Sequence, residues 1–168
     1  MSKYDDIKSQ VREFIIRQDE FAAAANDFAD RLLNRARAYL ETSEANVTGL
    51  RDVLSASNQA DDGFFTIPIK IEFGLPRPEI QHLTITSAFG FRPTRTGTEV
   101  YILERNRERD LVKKDRFLIG ADDADFNALF DRCVEIWTEM WRYDPFDAEQ
   151  PKLTPGFDLS QAPPQRRA

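Results

Sequence analysis

FTIPIKIEF, residues 65–73, sets Phe65, Ile67, Ile69, Ile71 and Phe73 against Thr66, Pro68, Lys70 and Glu72. A period of two puts the apolar set on one face of a β-strand and the polar set on the other. Pro68 has no amide hydrogen to give a ladder, so this strand is expected at a sheet edge with Pro68 turned from its neighbour. Downstream, Leu83, Ile85, Ser87, Phe89 and Phe91 share one face, opposite His82, Thr84, Thr86, Ala88 and Gly90. The turn RPTRTGT then leads to EVYILER (99–105) and LVKKDRFLI (111–119). Four strands joined by short turns predict an antiparallel meander.

Helices flank these strands. Residues 3–41 contain no Gly or Pro and are rich in helix formers. Ile7, Val11, Phe14, Gln18, Phe21, Ala25, Phe28 and Leu32 recur at alternating steps of four and three, a heptad stripe. Such a helix would run about 55 Å, longer than the roughly 30–40 Å globule that a chain of this size makes. Part of it is expected to overhang and to need a partner, although the same stripe also describes a helix packed on its own domain. Residues 43–58 read as a shorter helix, with Ser43 or Asn46 as cap and Val47, Leu50, Val53 and Leu54 as its apolar face. Gly49 weakens that helix. At the other end Asp122 caps a third helix, in which Phe126, Leu129, Phe130, Cys133, Val134, Trp137, Met140 and Trp141 form a face wide enough to cover a sheet.

The fold class expected is therefore α+β. A four-stranded antiparallel meander carries the C-terminal helix, with a long N-terminal and a short second helix. Residues 1–143 make a single domain, and 144–168 a Pro-rich tail whose Phe146, Phe157 and Leu159 could hook a partner. The polar strand face is open to two readings: cover for the small side chains of FAAAA (21–25), or a shallow binding surface.

Net charge is −6 and the isoelectric point about 4.9. That balance disfavours nucleic acid and anionic membranes unless basic groups cluster. Residues 92–116 carry eight basic and five acidic side chains, so RNRERDLVKKDR (105–116) is a basic island. Its signs interleave, however, and the nearby aromatics are Tyr101 and Phe117 alone. The solvated turn of a hairpin explains it better than a polyanion groove. One cysteine, Cys133, excludes an intrachain disulfide and fits a reducing compartment. The first residues lack a signal-peptide core and no stretch spans a bilayer, so a cytoplasmic location is expected; the leaning to a bacterial source has no physical reason in the sequence.

Catalytic chemistry finds little support. His82, the single histidine, has no local nucleophile or orienting carboxylate. Cys133 sits on an apolar helix face, where thiols are inert. Asp131, Glu135 and Glu139 share a helix face but lack the histidines of a strong metal site. No phosphate loop, zinc spacing or calcium loop occurs, and neither cofactor nor metal is expected. The leading expectation is a non-catalytic interaction protein: a homodimeric adaptor, chaperone-like or inhibitory partner. It would bind itself, and in some settings a second protein, through Ile7, Val11, Phe14, Gln18, Phe21, Phe28 and Leu32. The alternative is a small-molecule or anion-binding domain in which Arg92, Arg95, His82 and Tyr101 converge on the polar sheet face; an enzyme ranks third.

Overall fold

The computed structural model describes residues 2–42, 46–49, 53–55, 59–74, 83–105, 108 and 110–141. Helix α1 (Lys3–Tyr39) comes first, then strands β1 (Val47–Thr48), β2 (Phe65–Phe73), β3 (Leu83–Thr94), β4 (Gly97–Arg105) and β5 (Leu111–Ile119), then helix α2 (Asp125–Trp141). The strands form one antiparallel sheet in the order β1-β2-β3-β4-β5. The meander expected from β2 to β5 is present, and a fifth strand extends it.

That fifth strand corrects the second helix expected over 43–58. Val47 and Thr48 pair with Ile71 and Lys70, and the Glu72 amide donates to the Asn46 carbonyl at 2.8 Å. β-Branched Val47 and Thr48 suit a pleated edge, and Gly49 removes helical preference just beyond them. Residues 43–45, 50–52 and 56–58 of that stretch lie outside the described residues. Because β1 is so short, β2 has a partner on both sides only near Ile71. Pro68 falls in the part of β2 that β1 does not reach, which reconciles a proline with an inner strand.

The register assigns the two faces. Phe65 opposes Phe91, Ile67 opposes Phe89, and Ile71 opposes Ile85; across the next ladder Phe89 meets Ile102 and Phe91 meets Val100. All of these are buried and form the core with Ile119 of β5. Both helices lie on this face. Phe21 packs on Phe65 and Phe28 on Phe91, with ring centroids 5.8 and 5.0 Å apart. From α2, Phe126 stacks on Phe28 at 5.8 Å, and the Trp137 indole N–H donates to Ser87 Oγ at 2.7 Å. Ser87, the one polar residue in the apolar row of β3, is thereby satisfied. FAAAA does not cover the polar face: Ala25 is buried on the Phe side, and Ala23 and Ala24 face solvent.

Among the described residues, side-chain ties to the rest of the fold are made by the C-terminal half of α1. Asn26 bonds both the amide and the carbonyl of Leu54 at 2.8 Å, Arg37 Nε donates to the Val47 carbonyl, and Arg31 reaches the Gly120 carbonyl. Between β3 and β4 the turn is closed at Gly97, φ +152°, where a Cβ would meet the Ile119 carbonyl oxygen at 2.5 Å. Only glycine admits β5 that close.

Candidate functional site

α1 begins with a capping box. The Asp5 amide donates to Ser2 Oγ, the Ser2 amide donates to the Asp5 carboxylate, and Asp5 and Asp6 complement the helix dipole. From there to Arg17 every residue of the helix is exposed, about 22 Å at 1.5 Å per residue. Along that overhang Ile7 is 62% exposed, Val11 51% and Phe14 61%, while Phe28 and Leu32 on the same stripe are 2% and 0% exposed. Gln18 and Phe21 are intermediate, at the step where the stripe passes under the sheet. The expected residues thus divide in two: Phe21, Ala25, Phe28 and Leu32 belong to the core, and Ile7, Val11 and Phe14 form an uncovered face.

Two exposed side chains widen that face. At about 100° of turn per residue, Tyr4 extends the stripe by one step, Ile15 falls beside it, and Ile16 lies away from it. The heptad places Lys3, Gln10 and Arg17 along one flank and Lys8 and Ile15 along the other. The acidic residues Asp5, Asp6, Glu13, Asp19 and Glu20 sit on the outer side, with Glu13 bound to Arg17 at 3.0 Å. The overhang presents an apolar strip edged by cations.

Four side chains were expected to converge on the polar sheet face. Arg92 and Tyr101 do meet there, on Glu99, a buried carboxylate 6% exposed. Arg92 donates to it at 2.8 Å, Arg116 at 2.7 Å and the Tyr101 hydroxyl at 3.1 Å. Arg95 sits at the exposed tip of the β3–β4 turn, and His82 lies outside the described residues. Burial would raise the Glu99 carboxyl, but the three donors outweigh it and hold it below the ordinary range. Across this cluster folds the segment Gln59–Phe64. Gly63 takes φ +83°, Asp62 accepts the Phe64 amide, and the Phe64 ring packs edge-on against Tyr101. Arg92 and Lys113 lie over the Phe64 ring at 4.7 and 3.5 Å, and Lys113 also bonds Asp62 at 2.6 Å. Arg92, Lys113 and Arg116 of the basic island therefore serve the fold's own carboxylates.

A pH dependence follows. Glu99 binds its proton at lower pH in the folded chain than in the unfolded one. Its stabilisation is complete above the usual carboxylate pKa and is lost as pH falls through the depressed value. Asp62, lowered chiefly by its hydrogen bond with Lys113, acts in the same direction. Glu99→Gln should cost about 1–3 kcal/mol at pH 7, toward the low end because both arginines are partly exposed. It should also flatten the loss of thermal midpoint below about pH 4. Circular-dichroism melts from pH 7 to pH 3 check this; identical acid limbs in the two proteins would refute the role given to Glu99.

The hairpin reading of residues 105–116 holds, since Arg105 pairs with Leu111 across β4 and β5. Asn106, Arg107 and Arg109 lie outside the described residues, as do residues 142–168, including the expected tail. Cys133 is buried and its thiol is pushed up to about 12 by desolvation. Asp131 takes the Tyr39 hydroxyl and Glu135 takes Arg132. Among the described residues no group of three or more His, Cys, Asp or Glu could hold a metal ion, and no helix is long and apolar enough to cross a membrane. An open groove of about 250 Å³ at the β1–β2 edge is lined by Thr48, Gly49, Pro68 and Lys70; one lysine beside small side chains offers no convergent chemistry.

No protein-family model, curated protein or solved structure matches the chain. The functional reading therefore stands on the geometry alone.

Sequence reasoning missed Tyr4 and Ile15 on the overhang, and Glu99, Arg116, Phe64 and Lys113 on the sheet. The heptad template skips Ile15 because it sits one residue after a seam position. Glu99 was concealed by its neighbours, since an acid among arginines reads as a surface ion pair until the register places it inward.

Proposed function

We propose that this chain is a non-catalytic interaction module that assembles with a second copy of itself through the N-terminal half of α1. One observation carries the reading. The stripe that buries Phe28 and Leu32 continues, with Gln18 as its one polar member, into Ile7, Val11 and Phe14, which no described residue outside the helix covers. Isolated exposed apolar residues are ordinary on protein surfaces, but a contiguous strip rimmed by polar groups marks an interaction site.

The magnitudes set the strength of the pairing. Full burial of a side chain such as Ile, Val or Phe stabilises by about 1.5–3 kcal/mol. Ile7, Val11, Phe14 and Ile15 are each about half buried already, so a dimer gains roughly half of that at eight positions, about 6–12 kcal/mol. Association costs about 4–15 kcal/mol in lost freedom. Gain and cost are of the same size, so the pairing is weak and reversible, of about micromolar strength at its upper limit. An adaptor of this kind could exchange its self-contact for a second protein, and its single buried cysteine suits a cytoplasmic setting.

Light-scattering mass at concentrations spanning this range is the test. Twice the 19.4 kDa chain mass is expected at high concentration, falling on dilution. A monomeric mass at every concentration up to about a millimolar, beyond the weak end of such pairing, would defeat the reading.

A further inference from the structure

The direction of that pairing is also written in the fold. We infer, resting on the self-association proposed above, that two copies join through antiparallel overhangs. Val11 of each faces Phe14 of the other, and the two domains sit at opposite ends of the paired helices.

Sterics exclude the parallel alternative. The stripe offered by Tyr4, Ile7, Val11 and Phe14 is the same stripe that meets the sheet from Phe21 onward. A straight partner helix packs 8–10 Å away along that stripe. Running parallel, it would pass Phe21 and enter the layer that β2 and β3 already fill, where Phe65 and Phe91 touch α1. Running antiparallel, the partner's C-terminal half leaves past Lys3 of the first copy, away from the layer that β2 and β3 fill.

Length and charge select the register. Pairing Val11 with Phe14 also sets Tyr4 against Phe21 and Ile7 against Gln18, so each overhang covers the other from Lys3 to Ala22. Sliding one heptad inward sets Tyr4 against Phe28, where the sheet already lies, and sliding one outward leaves Gln18 with no residue facing it. In this register Lys8 flanks Ile15, Gln10 flanks Arg17 and Lys3 flanks Ala24, so no like charges face each other. The parallel pair would set Lys3 beside Lys8, a repulsive contact.

Spin labels test the direction separately from the association. Asp5→Cys, Arg12→Cys and Asp19→Cys, each in a Cys133→Ala background, lie seven residues apart on the outer side of the helix, clear of the seam. In the antiparallel dimer the axial offset between identical labels is about 22 Å at position 5, about 2 Å at position 12 and about 20 Å at position 19. Dipolar spectroscopy should therefore give a distance minimum at Arg12→Cys, with both ends longer by roughly 10 Å. Equal distances at all three positions would overturn the antiparallel pairing and leave self-association standing. A monomeric mass for the unsubstituted chain would overturn both. Small-angle scattering of that unsubstituted chain reads the same geometry without labels: two separated lobes support the inference, and a single compact lobe overturns it.

Discussion

Replacing Val11 and Phe14 together by aspartate is expected to leave a folded monomer at concentrations where the parent chain is a dimer. Self-association should weaken at least 100-fold. Both side chains are more than half exposed in the single chain, so the domain loses no core contact when they change. Surface substitutions of this kind usually shift stability by no more than about 0.5 kcal/mol. At the seam, however, four carboxylates would have to be desolvated without partners, which costs several kcal/mol each. Sedimentation paired with circular dichroism separates the two effects. A double variant that still dimerises like the parent would remove the overhang from the interface. Phe21→Asp would be a poorer probe, because Phe21 packs on Phe65 and its loss would disturb the fold itself.

How much of this was legible before the structure depends on the range of the forces involved. The long helix, the strands β2 to β5 and the closing helix were all readable, because each is fixed by local periodicity: Phe65 to Phe73 at two, Ile7 to Leu32 at alternating three and four. The region 43–58 was not readable. Val47, Leu50, Val53 and Leu54 fit a helical face, but at Val47 and Thr48 the free edge of β2 offered hydrogen-bond partners, and tertiary pairing overrode a weak local preference.

The candidate site divides along the same line. That Ile7, Val11 and Phe14 lie on one stripe with Phe28 and Leu32 follows from spacing. Where the stripe passes from solvent into the core does not, since that depends on where the sheet ends. Arg92 of β3 and Tyr101 of β4 both reach the polar sheet face, where each bonds Glu99. What they hold, Glu99, required the β3–β4 register, in which Arg92 opposes Glu99 directly.

Phe28→Ala should have the opposite thermodynamic signature from the aspartate pair, although it lies on the same stripe of the same helix. Phe28 is 2% exposed and touches both Phe91 of the sheet and Phe126 of α2, so it locks three elements together. Truncating a buried phenylalanine costs about 3–5 kcal/mol, a large share of the roughly 5–15 kcal/mol that holds a domain. The thermal midpoint should fall by about 10 °C or more. Dimerisation would itself raise the apparent stability of the parent with concentration, so the comparison belongs in the Val11→Asp/Phe14→Asp background. Positions 14 and 28 are about 21 Å apart along the helix. If the overhang is independent of the core, the two sets of substitutions should add within about 0.5 kcal/mol in denaturant melts. A larger departure would mean that the N-terminal half of α1 folds back on its own domain in solution, and the apolar strip would then have a partner within the chain.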